Sequence, residues 1–152
     1  MREIIFRGQT RRKGEKVKNI AGEPMPSRWV EGGIFQGAGC YSIIYGTEEG
    51  ENLSTANINR HVVYADTVGQ YTGLRDKNGK RIFEGDYLTL AGTSRPGMPG
   101  IVVWHSPACA FAIQRKGYSS IQLDKDESGR YEVVGNRWDD PELLPEKEDP
   151  SE

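Results

Sequence analysis

Glu84 and Asp86 lie two positions apart around Gly85, and they are the sharpest candidates for chemistry in the chain. On a strand such residues share a face, with Cα atoms about 7 Å apart. Paired carboxylates at that spacing could exchange a proton or hold a divalent cation. The competing reading is local. Gly85 can supply a left-handed residue and Asp86 can accept backbone N–H groups, so the chain turns before Tyr87-Leu88-Thr89-Leu90 begins a strand. No glycine-rich phosphate loop accompanies the pair, and the turn reading is preferred. His61 and His105 are the only histidines. Cys109 follows His105 across Ser106-Pro107-Ala108, which brings a Cys–His nucleophile to mind. A thiol that is simply packed or free explains the same residue, and is again preferred. With Cys40 added, two histidines and two cysteines still match no zinc spacing. The chain is therefore read as a non-enzyme, with no catalytic residue, metal site or cofactor assigned.

Aromatic residues among basic ones are the next signal. Arg75, Lys77, Lys80 and Arg81 crowd one short segment, with Tyr71, Phe83 and Tyr87 nearby. Such a ribbon could hold single-stranded nucleic acid by stacking and phosphate contacts. Asp76, Glu84 and Asp86 interrupt the patch, which a phosphate-binding surface should avoid. The preferred reading makes the lysines a solvated flank of a turn and the aromatics part of the core. Across the chain, 20 basic residues stand against 22 acidic ones. That balance argues against a dedicated nucleic-acid coat. Basic residues gather near the start (Arg2, Arg7, Arg11, Arg12, Lys13, Lys16, Lys18) and acidic ones from Asp139 to Glu152. Such asymmetry usually reports solubility.

These residues must be positioned by β-structure. The 19 glycines, eight prolines and many β-branched or aromatic residues leave almost no run with helical apolar spacing. Expected strands are Glu3–Gly8, Trp29–Gln36, Tyr41–Tyr45, Val62–Ala65, Gln70–Arg75, Tyr87–Leu90, Gly100–His105, Phe111–Gln114 and Tyr131–Val134. Asn78-Gly79 predicts a type I′ hairpin joining Tyr71–Asp76 to Lys80–Phe83. Helix is expected only in short pieces, as at Pro141-Glu142-Leu143-Leu144 behind Asp139 or Asp140. The chain is thus mainly β. A β-rich N-terminal lobe, residues 1–66, packs against a small SH3-like barrel within 67–145, and an acidic flexible tail follows over 146–152. Bulges and glycines let short strands curl into such a barrel. Its expected core is Leu88, Leu90, Val102, Trp104, Phe111, Ile113 and Val133. At 152 residues the chain can bury roughly two thirds of its unfolded surface. It shows no signal peptide and no apolar run near the roughly 18 residues of a membrane span. Its cysteines suit a reducing cytoplasm.

The segment Thr67–Leu90 resembles the YopX family of phage and prophage proteins. The match is carried by Gln70-Tyr71-Thr72-Gly73-Leu74, Asp76-Lys77-Asn78-Gly79 and Glu84-Gly85-Asp86. Looser likeness lies in Arg2-Glu3-Ile4, Phe6-Arg7-Gly8 and Trp29-Val30-Glu31-Gly32. It returns in Val133-Val134-Gly135-Asn136 and in Asn136 through Pro141-Glu142-Leu143-Leu144. The resemblance implies a phage origin, a bacterial cytoplasm and no established reaction. Gly73, Leu74, Asp76, Asn78, Gly79, Glu84, Gly85 and Asp86 are then structural motif residues.

Two functions follow as expectations. The first is a binding or modulator protein that contacts a host or phage protein, or a second copy of itself, through an open β-edge such as Gly32–Gln36 or Tyr41–Tyr45. The second is a nucleic-acid accessory factor using Arg75, Lys77, Lys80 and Arg81.

Overall fold

The computed structural model describes residues 2–15, 18, 20–23, 28–46, 58–90 and 99–143. Residues 91–98 between the expected strands Tyr87–Leu90 and Gly100–His105, the end of the short helix expected at Pro141–Leu144 and the acidic tail from Glu146 lie outside them. The protein is mainly β, with antiparallel sheets, and among the described residues the helical pieces are short 3₁₀ turns. Two compact units divide at Tyr71 and Thr72, within one strand.

In the first unit, β1 (Phe6–Arg11), β2 (Arg28–Gly37), β3 (Cys40–Gly46), β4 (Ile58–Val63) and the start of β5 (Gly69–Arg75) run in the order β4-β3-β2-β1-β5. Strand β2 changes partner along its length. Arg28 to Gly32 pair with β1, and Gly33 to Gly37 pair with β3. Val30, Ile43 and Val63 form the core, with Phe6, Ile34, Tyr41, Tyr45 and Val68 packed on them. Beyond β4, the Tyr64 N–H donates to the Gln9 carbonyl at 2.9 Å. The Thr67 hydroxyl accepts the Gln9 N–H at 2.9 Å and donates to the Tyr64 carbonyl at 2.6 Å. The chain leaving β4 is thus tied back to β1, and the sheet curls. The strand at Tyr41–Tyr45 is no open edge: it lies inside β3, paired with β2 on one side and β4 on the other.

The second unit contains the end of β5, β6 (Arg81–Phe83), β7 (Asp86–Leu90), β8 (Gly100–His105), β9 (Ala110–Gln114), β10 (Ile121–Gln122) and β11 (Tyr131–Asn136). Strands β7 to β10 form a meander, and β11 returns to β7, giving the order β10-β9-β8-β7-β11. Ile82, Leu88, Val102, Ile113 and Tyr131 are buried together, with Leu74, Leu90, Leu123 and Val133 against them. Each such burial is worth about 1.5–3 kcal/mol of transfer free energy.

Trp104 is not in this core. It is 49% exposed. The facing pair Val102 and Ile113 fills the core, whereas Trp104 faces Phe111 one step further along the hairpin, past the end of the cluster. The two rings meet edge to face, with centroids 5.1 Å apart. Pro141–Leu143 forms a single 3₁₀ turn closed by Leu143 N–H to the Asp140 carbonyl at 3.0 Å.

Candidate functional site

The segment rich in candidate residues begins at the β5–β6 turn. Gly79 has φ +79°, whereas Asn78 does not enter the positive-φ region. The turn is therefore not type I′. The Gly79 N–H donates to the Asp76 carbonyl at 3.0 Å and the Asp76 N–H to the Lys80 carbonyl at 2.8 Å, a type I turn followed by a left-handed glycine. Asp76 decides between the two geometries. Its Oδ1 accepts the amides of Asn78 at 2.8 Å and Lys80 at 2.9 Å, which holds Asn78 at negative φ.

The other oxygen of Asp76 accepts the Val133 N–H at 3.1 Å, and the Lys77 N–H donates to the Tyr131 carbonyl at 2.9 Å. The turn thereby caps the outer edge of β11. Asp76 is only 6% exposed. Burial pushes its pKa up, but the amides of Val133, Lys80 and Asn78 and the Lys80 charge outweigh that and hold it below the usual aspartate value.

Glu84 and Asp86 do not share a strand face, because the chain turns between them. Asp86 is 1% exposed and accepts the Phe83 N–H at 2.9 Å. Gly85 has φ +84° and lies beneath Trp138, where an added Cβ would come within 2.3 Å of the indole. Its N–H donates to the Val102 carbonyl at 2.8 Å and its carbonyl accepts the Arg137 N–H at 3.0 Å. In β5, Gly73 also has positive φ, at +88°. The Thr72 hydroxyl beside it accepts the Leu74 N–H at 3.2 Å and donates to the Ile82 carbonyl at 2.9 Å.

The basic residues of the turn are partly engaged. Lys77 Nζ is 2.8 Å from Glu132, and Arg75 donates to the Gly79 carbonyl at 2.9 Å. Lys80 is exposed and Arg81 half-buried. Near the N-terminus, Arg7 is 7% exposed with its guanidinium 4.7 Å from the Trp29 ring centre. Arg12 pairs with Asp66 at 2.6 Å and lies 4.4 Å over the Tyr64 ring. Glu15 accepts the Arg12 N–H at 2.9 Å and the Tyr64 hydroxyl at 2.8 Å. Those bonds, the Arg12 amide first, lower the Glu15 pKa.

His61 stacks on Tyr45, with the phenol oxygen 3.0 Å from Nε2. Cys109 is exposed in a left-handed conformation with Sγ 3.4 Å from the Ser106 carbonyl. Among the described residues no cluster of His, Cys, Asp or Glu is arranged to hold a metal ion, and no helix is long and apolar enough to cross a membrane.

A family model described as YopX protein matches residues 35–145, most of the chain. The chain belongs to the YopX family. No curated protein matches the sequence. A crystal structure of protein EF1440 from Enterococcus faecalis is similar to this YopX chain at 23% identity, over 70% of this chain and 78% of that one, with a TM-score of 0.40.

The sequence reading missed the outer face of β2, β3 and β4. Phe35, Ser42 and Val62 stand in one cross-strand row, and Ile44 and Ile58 share that face. Phe35 is 49%, Val62 57% and Ile58 42% exposed. Ser42 is buried within the row, and its hydroxyl accepts from Arg60 Nε at 3.3 Å. Strand alternation at Phe35 and Val62 was the available signal, since each is out of phase with a core residue, Ile34 and Val63.

Proposed function

We propose that this YopX-family chain is a phage- or prophage-encoded, non-enzymatic protein of the bacterial cytoplasm that binds another protein through an exposed β surface. The observation that carries this is the apolar row Phe35–Val62 on the outer face of β2–β4. Exposed apolar side chains gathered on one sheet face are what protein contacts use. Of the carboxylates that suggested chemistry, Glu84 and Asp86, the second accepts a backbone amide, and Asp76 in the basic turn accepts three. The same bonds weaken the nucleic-acid reading, as does the Lys77–Glu132 pair beside the turn.

Affinity capture from a bacterial host with tagged protein, with and without nuclease, tests the proposal. A partner retained after nuclease and lost with Val62→Lys is the expected result. Capture that nuclease abolishes would overturn it. Fluorescence anisotropy gives the complement. Affinity for labelled single-stranded or duplex oligonucleotides at physiological salt should be about 10⁻⁴ M or weaker. Micromolar binding whose log–log salt slope flattens by roughly 1.4–1.8 in the double variant Lys77→Glu, Lys80→Glu would establish the accessory-factor reading instead.

A further inference from the structure

We infer that the outer edge of Gly33–Gly37 in β2 pairs antiparallel with the same edge of a second copy of this chain. The inference goes beyond the protein-binding reading above, since it concerns the backbone edge of β2 and not the apolar face. The two-residue loop Ala38-Gly39 closes the Gly37–Cys40 pair, so Gly37, Phe35 and Gly33 exchange hydrogen bonds with β3. The N–H and C=O groups of Ile34 and Gln36 then point the other way. On that side the pairing with β1 stops at Phe6 and Gly32. Among the described residues no backbone group meets Ile34 or Gln36 there.

Several other edges among the described residues are treated differently. On β11, Asp76 takes the Val133 amide, Lys77 donates to Tyr131, and Asp140 takes the Asn136 amide at 3.1 Å. Past β4, Tyr64 is bonded to Gln9. Strand β10 has only two residues, Ile121–Gln122. Monomeric proteins blunt a long edge with lysine, proline or a bulge. Gly33-Ile34-Phe35-Gln36-Gly37 has no charge and no proline.

A two-fold axis through Phe35 makes this edge its own complement. Ile34 of each copy faces Gln36 of the other, and both facing pairs exchange N–H···O bonds. The two Phe35 residues meet at the centre as a non-bonded pair with Cα atoms about 4.5 Å apart. Phe35 is 49% exposed, and its ring lies over Gly37, where an added Cβ would sit 2.8 Å from Cε1. Its orientation is therefore set before a partner arrives, and aromatic pairs across strands are favourable. Such an interface closes on itself, so it yields dimers and not fibres.

Light scattering coupled to size exclusion, at about 0.1–0.5 mM because a short edge interface is weak, tests the assignment. The wild type should be dimeric. Phe35→Lys and Phe35→Glu should each be monomeric, and an equimolar mixture should recover the dimer, because only then do opposite charges face each other across the axis. Gln36→Pro removes an outward N–H without touching a bond to β3, and should also give monomer with unchanged circular dichroism. A monomeric wild type, or a Phe35→Lys variant that stays dimeric, overturns the inference. Should either charged variant fail to fold, the wild type and Gln36→Pro decide. A monomer that still captures a Val62-dependent partner leaves the proposed function standing. A dimer that captures nothing removes the function and keeps the edge.

Discussion

The carboxylate of Asp76 accepts the backbone N–H of Val133 at 3.1 Å, across 57 positions of sequence. With the same side chain holding Asn78 and Lys80, one buried group fixes both a tight turn and the edge of the last strand. Hydrogen bonds to a charged acceptor are worth about 1.5–3 kcal/mol each.

Asp76→Ala should therefore destabilise the protein by about 3 kcal/mol or more, read from urea unfolding. The acid dependence has a definite sign. Because the folded pKa of Asp76 is lowered, its ionised form contributes stability that is fully present above the ordinary aspartate pKa of about 3.9. That contribution is lost as pH falls below this value and through the folded one. Asp76→Asn should flatten the stability profile in that window. An unchanged profile would mean that the carboxylate does not hold these amides.

Gly79→Val should cost about 1–2 kcal/mol, because a left-handed residue with a branched side chain is strained. Nothing lies within 4 Å of an added Cβ, so the cost is conformational and not steric. Gly79→Asn should lose much less. Equal melting temperatures for the wild type and Gly79→Val would rule out the positive φ.

Gly85→Ala should be worse, about 2–4 kcal/mol, since strain at φ +84° adds to a clash with the Trp138 indole. In a Trp138→Ala background the same change should cost only the conformational part, about 1 kcal/mol. A double-mutant cycle measures the difference. Additive effects would place the indole elsewhere.

Trp104→Ala should cost about 1 kcal/mol or less, near the value of its edge-to-face contact with Phe111, and not the 3–5 kcal/mol of a core tryptophan. Selective quenching by acrylamide gives a second check. Replacing Trp104 should remove the most accessible part of the emission.

The strand pattern was largely legible, because alternation and glycine punctuation are local properties. The strand expected at Gly100–His105 has its observed limits, and those expected at Trp29–Gln36 and Tyr41–Tyr45 match β2 and β3 to within a residue at each end. What failed depended on side chains reaching across the fold. Asn78-Gly79 alone favours a I′ turn, and only the Asp76 carboxylate, held by Lys80 and Val133, selects the other geometry. Trp104 alternates correctly with Val102, but alternation gives a facing and not a position along the core. The ten-residue β2 reads as one strand. Its change of partner at Gly32–Gly33, which among the described residues ends its pairing on the β1 side, is set by where β1 ends.

The clasp between Asp76, Lys77 and β11 also has a consequence for synthesis. A ribosome releases the turn of Asp76–Lys80 long before Tyr131 and Val133 emerge, so the nascent carboxylate and amide must stay hydrated until the closing strand arrives. Contacts so distant in sequence slow folding. A chain stopped at Arg130 would leave the Asp76 carboxylate and the Lys77 N–H without these partners and exposed to water.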